Sequence, residues 1–68
     1  MEISSAGDLG AQIRKARKEQ GLTQADLAGA SGVGVRFVSD LEAGKPTCEL
    51  DKALKVVRML GLRLQLEP

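Results

Sequence analysis

The most informative segment of the chain is residues 21–42, which read GLTQADLAGASGVGVRFVSDLE. Thr23 predicts the start of a short helix, because its hydroxyl can accept a hydrogen bond from a backbone amide in the first helical turn. Gly32 predicts the end of that helix, since glycine readily adopts the left-handed backbone that a sharp exit requires. Gly34 can then cap the next helix. Two helices joined by so short a glycine-containing turn are the signature of a helix-turn-helix.

Apolar and polar side chains of this segment fall on opposite sides at helical spacing. Those expected to face the core are Leu27, Ala28, Val38 and Leu41, with Val33 filling the corner between the helices. The second helix of the pair turns Arg36, Ser39 and Asp40 away from the core. The segment therefore predicts a helix with one buried and one accessible side.

A further helix precedes this pair. Ser5 stands three residues before Asp8, a spacing typical of a capping box at a helix start. The apolar residues that follow at helical spacing are Leu9, Ile13 and Ala16. The helix is expected to last to about Gln20, and Gly21 ends it.

A fourth helix is expected after the breaks at Gly44 and Pro46, starting at Thr47 or Cys48. Its apolar stripe consists of Leu50, Leu54, Val57 and Gly61. Additional apolar residues widen this surface beyond one stripe, which favours two buried sides, one toward the domain and one toward a partner.

The last residues, 62–68, read LRLQLEP and alternate strictly between apolar and polar, which predicts a strand. A lone strand on a helical domain has no partner in its own chain, and unpaired strand edges invite pairing with another copy. We therefore predict an antiparallel two-stranded ribbon between two protomers; the alternative is a frayed apolar tail. The expected dimer interface consists of Val56, Met59, Leu60, Leu62, Leu64 and Leu66.

Length and composition bound the function. The 68 residues are enough for a single domain, residues 1–68, and a chain of this size buries only roughly 60% of its unfolded surface, which favours self-association.

There is no histidine and one cysteine, Cys48, so the usual zinc sites, an internal disulfide and histidine-dependent catalytic triads are excluded. We expect no enzymatic activity, no cofactor and no metal. No leader or membrane-spanning stretch is evident, so the expected location is the cytoplasm, without a membrane partner.

Net charge is only +1, so any affinity for nucleic acid depends on where the charges lie. Basic residues concentrate in two groups, which are Arg14, Lys15, Arg17 and Lys18, and Lys52, Lys55 and Arg58. The alternative interpretation is that both groups are ordinary solvated helix faces.

Residues 21–47, GLTQADLAGASGVGVRFVSDLEAGKPT, resemble the Xre and lambda-repressor-like helix-turn-helix family, whose pattern reads roughly G-L-T-Q-x-x-L-A, then G-V, then I-S-x-x-E-x-G. The segment RFVSDLEAGKPT, followed by a helix ending in LGLRLQLEP, is closer still to the HipB-type antitoxins. The resemblance implies an all-α, four-helix DNA-binding domain. For the HipB-type subgroup it also implies a homodimer, sealed by C-terminal strands, that represses its own operon and binds a HipA-type serine/threonine kinase toxin.

The family places the N-terminal part of the third helix in the major groove of double-stranded DNA, where base edges are distinguishable. The residues expected to read bases are Gly34, Val35, Arg36, Ser39 and Asp40. Arg36 is the side chain able to grip guanine O6 and N7 with two hydrogen bonds; otherwise it is a surface arginine paired with Asp40. Because phosphates repel a carboxylate, Asp40 is expected either to accept from cytosine N4 or to hold Arg36 in position, and we favour the holding role.

Contacts with backbone phosphates are expected from Thr23, Gln24, Lys45, Thr47 and Arg14. Gln24, Lys45 and Thr47 match family positions that touch the backbone, and amides at a helix start favour a negatively charged oxygen. Thr23 is mainly a cap and Arg14 would reach the flank. The alternative for Lys45 is simple solvation.

Three other residues are expected to be structural. In the family, the positions of Arg17 and Glu42 commonly form a partly buried ion pair, and removing one partner would cost roughly 3–5 kcal/mol if burial is deep. Phe37, the sole aromatic residue, is expected to pack. Because the sequence offers no aromatic stacking platform, it does not favour single-stranded nucleic acid as a ligand.

Three functions remain open from the sequence. The first is an autoregulating antitoxin that represses a palindromic operator and inhibits a partner kinase. The second is a stand-alone dimeric regulator with no protein partner, which the absence of an adjacent kinase reading frame would favour. The third is a protein-interaction adaptor without DNA binding, which salt-dependent binding to a palindromic duplex would exclude.

Overall fold

The computed structural model describes residues 2–68, and this part of the chain contains four helices. They are α1 (Ala6–Glu19), α2 (Gln24–Ser31), α3 (Val35–Glu42) and α4 (Leu50–Met59). Helix α3 packs against α1 and α2, and α2 also packs against α4. The predicted all-helical architecture with a helix-turn-helix is confirmed. None of the helices in residues 2–68 combines the length and the apolar character that a bilayer crossing needs.

The first two helices begin at the predicted hydroxyl caps. The Asp8 amide donates to the Ser5 hydroxyl at 3.1 Å. At the start of α2, the Asp26 amide donates to the Thr23 hydroxyl at 3.0 Å and the Thr23 amide donates to the Asp26 carboxylate at 2.9 Å, a complete capping box. The bond from the Thr23 amide, followed by the contact with its hydroxyl, lowers the pKa of Asp26 below its ordinary 3.8, because both stabilise the ionised carboxylate.

The corner between α2 and α3 depends on Gly32, whose φ of 72° lies in the left-handed region that strains residues with a side chain. The Val33 amide donates to the Ala28 carbonyl at 3.0 Å and closes the last turn of α2. The Val33 side chain packs against the core but is only half-buried, less than predicted, because the corner lies at the surface. Gly34 caps α3 in an extended conformation with φ −77°.

The core lies between the four helices and positions α3. Its buried side chains are Ile13, Ala16, Leu27, Ala28, Val38, Leu41, Ala53, Val56, Val57 and Leu60. Each large one, such as Leu27, contributes roughly 1.5–3 kcal/mol on burial. Helix α1 crosses α3 at Gly10, where an added Cβ would lie 2.7 Å from the Glu42 carbonyl oxygen. This close approach fixes which side of α3 faces outward.

The fourth helix begins later than predicted. Glu49 is its capping residue, rather than Thr47 or Cys48, and it starts at Leu50. Residues 45–49 are exposed, so no burial favours helix formation there. Leu50 was expected in the buried stripe but is 66% exposed, because its side chain lies outside the core, into which Ala53 is the first residue of α4 to pack.

Two residues that the sequence assigns to a dimer interface lie in the core of the single chain. Val56 is 0% exposed and Leu60 is 5% exposed, because this side of α4 packs within the domain core. They leave no surface for a partner, so their assignment to the interface is wrong. Met59, by contrast, is 49% exposed and remains available.

Residues 62–68 form neither helix nor strand in the single chain. Leu62 packs against the core, and its amide donates to the Val57 carbonyl at 3.1 Å. Leu64 is 46% exposed and Leu66 is fully exposed. A strand that pairs only with a second copy has no hydrogen-bonding partner in one chain, so the ribbon between protomers stays a prediction.

Candidate nucleic-acid interface

The outward side of α3 carries the residues that the sequence assigns to base reading. Gly34, Val35 and Arg36 are exposed, and Ser39 and Asp40 are half-buried. The Arg36 side chain is 90% exposed, so guanidinium donors face solvent. The structure thus brings all five residues onto one accessible surface, which Val38 and Leu41 anchor from below in the core.

Asp40 draws two cations together on this surface. Its carboxylate lies 3.5 Å from Arg36 Nε and 3.5 Å from Lys45 Nζ. The Lys45 amide also donates to the Asp40 carbonyl at 3.0 Å, which fixes the loop after α3 beside the helix. This geometry agrees with the holding role expected for Asp40, and it adds Lys45 to the group.

Both ion pairs of Asp40 are long and partly exposed, with the Lys45 side chain 52% accessible. Pairs of this kind contribute only about 0–1 kcal/mol. Arg36 can therefore leave Asp40 for another acceptor at little energetic cost. Asp40 therefore orients the side chains of Arg36 and Lys45 but does not hold them tightly.

The start of α2 carries two of the residues expected to contact phosphates. Thr23 uses its hydroxyl and its amide in the capping box, in line with a role that is mainly structural. Gln24 is the first residue of α2, so its own amide has no acceptor within the helix. Its side-chain Nε2 donates to Glu42 Oε1 at 3.2 Å, a contact that sequence reasoning missed.

A buried ion pair lies directly beneath Gln24. Arg17 donates from Nε to Glu42 Oε2 at 2.7 Å and from a terminal nitrogen to Glu42 Oε1 at 3.0 Å; the side chains are 10% and 4% exposed. Arg17 also donates to the Leu22 carbonyl at 2.8 Å. The hydrogen bond to Glu42 raises the pKa of Arg17 above its ordinary value. The structure thus contains the ion pair that the resemblance implies.

The remaining predicted residues are less closely tied to α3. Arg14 and Thr47 are exposed, and within residues 2–68 no hydrogen bond or ion pair joins them to its outward side. Phe37 packs against the core, and the Lys52 ammonium lies 5.9 Å from its ring centroid. The expectation that Phe37 packs is confirmed.

A second surface lies away from α3. A groove of about 1100 Å³ is lined by the N-terminal residues 2–4, the start of α4 and residues 63–67. Its apolar side chains are Ile3, Leu50, Leu54, Leu64 and Leu66. Sequence reasoning found the two tail leucines but missed Ile3 and the exposure of Leu50, since helical periodicity assigns Leu50 to the buried stripe. Among residues 2–68, no cluster of three metal-ligating side chains occurs.

Comparisons with known proteins agree with this geometry. The helix-turn-helix family model HTH_3 matches residues 13–66, which include α2, α3 and α4. An uncharacterised HTH-type transcriptional regulator, y4mF of Sinorhizobium fredii strain NBRC 101917 / NGR234, is 50% identical over 64 residues. That match spans 94% of this chain and 84% of the relative.

Solved structures resemble the whole chain. A chain of the HipA-HipB-O2-O3 complex superposes with a TM-score of 0.91 at 25% identity, covering 100% of this chain and 96% of that one. A chain of the HipB-O4 20mer complex gives a TM-score of 0.90 at 25% identity, with the same coverage of 100% and 96%. The likeness thus includes residues outside the two central helices.

Proposed function

The chain belongs to the HTH_3 family of helix-turn-helix DNA-binding transcriptional regulators, and from this premise we propose that it is a homodimeric repressor of a palindromic operator. We further propose that it serves as the antitoxin of a HipA-type serine/threonine kinase and regulates its own operon. The observation that carries the proposal is the likeness over the full chain to chains of the HipB-O4 20mer complex and of the HipA-HipB-O2-O3 complex.

In this proposal, the outward side of α3 enters the major groove, the groove of B-form DNA that admits a helix. Arg36 donates two hydrogen bonds to guanine, and Val35 contacts a thymine methyl group. Gly34 has no atom within 4 Å of where a Cβ would lie, and its lack of a side chain lets the backbone approach the DNA. Asp40 orients Arg36 through their 3.5 Å contact, while Ser39 lies beside it on the same side.

Contacts with the phosphate backbone set the register of α3 in the groove. Gln24 and Lys45 supply these contacts on either side of the helix, from the start of α2 and from the loop after α3. Thr47 and Arg14, both exposed, extend them outward. Thr23 contributes chiefly by capping α2, which keeps Gln24 at the helix start.

A single domain makes few contacts, so the proposed repressor acts as a two-fold dimer that presents two α3 helices roughly 34 Å apart, one turn of DNA. The exposed Met59, Leu64 and Leu66 and the half-buried Leu62 supply the apolar surface between protomers. Residues 62–68 of the two chains pair as strands. Val56 and Leu60 support this surface from within the core.

The alternative function is a stand-alone regulator without a toxin partner. It is favoured by the relative y4mF, which is 50% identical and is described only as an HTH-type transcriptional regulator. The two functions share the DNA-binding surface and differ only in the kinase. The exposed Arg36 and membership of a family of DNA-binding regulators both argue against an adaptor that has lost DNA binding.

Footprinting on the DNA upstream of the protein's own coding sequence tests the proposal. We expect two protected half-sites with two-fold symmetry and an affinity that falls as salt rises. Any HipA-type kinase encoded next to the protein is then added, and we expect it to bind the repressor and change the footprint. If no kinase binds the protein, the antitoxin role is rejected and the stand-alone regulator remains. If no DNA is protected even at low salt, the proposal that the protein binds this DNA is rejected.

A further inference from the structure

The carboxylate of Glu42 does more than complete a buried ion pair. It accepts three hydrogen bonds: two from Arg17, at 2.7 and 3.0 Å, and one from Gln24 Nε2, at 3.2 Å. The Gln24 bond comes from a side chain that the proposed function puts against the DNA backbone. Glu42 therefore joins the interior of the domain to its DNA-facing surface.

The bond to Glu42 fixes which way the Gln24 carboxamide points. An ionised carboxylate only accepts hydrogen bonds, whereas a carboxamide donates from its nitrogen and accepts at its oxygen. Gln24 must therefore turn Nε2, and not Oε1, toward Glu42. The nitrogen carries a second hydrogen, which remains available as a donor.

Arg17 removes the electrostatic penalty of a carboxylate near DNA. Two hydrogen bonds from its guanidinium neutralise Glu42, and both side chains are at least nine-tenths buried. A free carboxylate at this position would repel an approaching phosphate. The ion pair thus supplies an acceptor for Gln24 without exposing a negative charge.

We propose that Glu42 is a positioning residue for DNA binding, which holds the carboxamide of Gln24 so that its second N–H donates to a backbone phosphate. Without this acceptor, the carboxamide can rotate by half a turn and present its oxygen, which a phosphate repels. The proposal rests on the proposed function, because it assumes that Gln24 meets DNA. It gives Glu42 a role beyond stability.

The test compares two backgrounds that both lack the ion pair. The variant Arg17→Met with Glu42→Gln keeps an oxygen that can accept from Gln24 Nε2, although its nitrogen can also donate to Gln24 Oε1. The variant Arg17→Met with Glu42→Met removes every acceptor at this position. Gln24→Ala is then added to the wild type and to each background. Affinity is measured by fluorescence anisotropy for a random duplex of roughly 20 base pairs at low salt, because phosphate contacts do not depend on sequence.

In the wild type, we expect Gln24→Ala to weaken binding by about tenfold, the effect of losing one hydrogen bond to a charged group. In the Glu42→Gln background we expect a smaller loss, about fivefold, because the carboxamide at position 42 can also donate to Gln24 Oε1. In the Glu42→Met background, the same substitution is expected to change affinity less than about twofold, since the carboxamide is already misplaced. An equal loss in both backgrounds would overturn the positioning role. Wild-type protein that binds no duplex would overturn the role together with the proposed function.

Two further readouts characterise the contact, and the second is independent of the stability of the variants. Removing the neutral Gln24 leaves the slope of affinity against salt unchanged, whereas Lys45→Ala reduces it by about one. Exchange of the side-chain amide protons with water is also measured by NMR on the free wild-type protein, so it does not depend on how the variants fold. We expect slower exchange for Gln24 than for the exposed Gln65, and equally fast exchange would contradict the contact on which the inference depends.

Discussion

At the scale of single residues, Arg36 has the donor geometry and the exposure that base recognition requires. We predict that Arg36→Ala weakens binding to the operator by about 10- to 100-fold, because one bidentate contact with guanine contributes about 1–3 kcal/mol. Binding to random duplex should fall much less, since only a point charge is lost there. Anisotropy titrations with operator and random duplex measure both quantities.

Arg58→Ala is the matched control for this prediction. Arg58 is exposed on α4, and within residues 2–68 it takes part in no ion pair. Its removal deletes the same charge at a distance from α3, so the ratio of operator to random affinity should stay at the wild-type value. If both variants lower operator affinity equally, Arg36 acts only as a charge and does not read a base.

The contacts at this scale divide clearly into predictable and unpredictable ones. The pairing of Arg36 with Asp40 follows from a spacing of four residues within one helix. The contact of Lys45 with Asp40 depends on the loop conformation after α3, and the bond from Gln24 to Glu42 depends on how α2 packs against α3. Neither tertiary arrangement is encoded in a local spacing, which is why sequence reasoning missed both.

At the scale of helices, the starts of α1 and α2 were predictable from the sequence and the start of α4 was not. The hydroxyls of Ser5 and Thr23 can satisfy amides that every helix leaves free, so local chemistry sets both starts. The residues before α4 include Thr47, which also has a suitable hydroxyl, yet the helix begins at Leu50. A capping side chain permits a start, but burial of the following turn decides whether the helix forms there.

The crossing of α1 and α3 depends on one missing side chain. A Cβ added at Gly10 would overlap the Leu41 carbonyl and lie 2.7 Å from that of Glu42, and backbone atoms cannot move aside cheaply. We predict that Gly10→Ala lowers the free energy of unfolding by about 1–3 kcal/mol, the usual cost of overpacking. Urea denaturation followed by circular dichroism measures the change.

Gly29→Ala is the control, because the same substitution at this position is expected to stabilise the protein. Gly29 lies inside α2 with nothing within 4 Å of an added Cβ. Alanine there should stabilise the protein by about 0.5–1 kcal/mol through its higher helix propensity. A stabilising Gly10→Ala, or equal effects at the two positions, would show that α1 and α3 do not approach as closely as described.

The capping box of α2 predicts a dependence of stability on pH. Since the folded pKa of Asp26 lies below its ordinary 3.8, the ionised group stabilises the fold above that pH, and the contribution is lost as pH falls through the folded pKa. The difference in unfolding free energy between wild type and Asp26→Asn should therefore be constant near neutrality and shrink below about pH 4. Urea titrations at a series of pH values measure it, and a difference that persists at pH 2 would contradict the capping role.

At the scale of the whole molecule, the apolar surface of α4 shows what a pattern leaves undetermined. Helical spacing marks Val56 and Leu60 as apolar positions that need burial, but it does not specify whether their own chain or a partner buries them. The structure shows that their own chain buries both Val56 and Leu60 in the domain core. The exposed leucines of the tail lie beyond the last helix, where the alternation of residues 62–68 is the only guide.

The dimer prediction concerns these tail leucines. We expect Leu64→Ser combined with Leu66→Ser to raise the dimer dissociation constant at least about 1000-fold, because four leucines per dimer lose burial that contributes roughly 1.5–3 kcal/mol each. Operator affinity should fall by at least about tenfold as the second α3 is lost. Helix content should not change, because both positions follow the end of α4 at Met59.

The control for the tail uses the alternate positions of the same segment. If residues 62–68 form a strand, Arg63 and Gln65 point to the opposite side from the leucines, so Arg63→Ser combined with Gln65→Ser should keep the dimer. Sedimentation equilibrium gives the dissociation constant of each variant, and circular dichroism gives its helix content. Deletion of residues 62–68 should repeat the effect of the leucine variant on operator binding. A dimer that survives loss of the leucines would require another surface between protomers, and equal weakening by both double variants would argue against a strand.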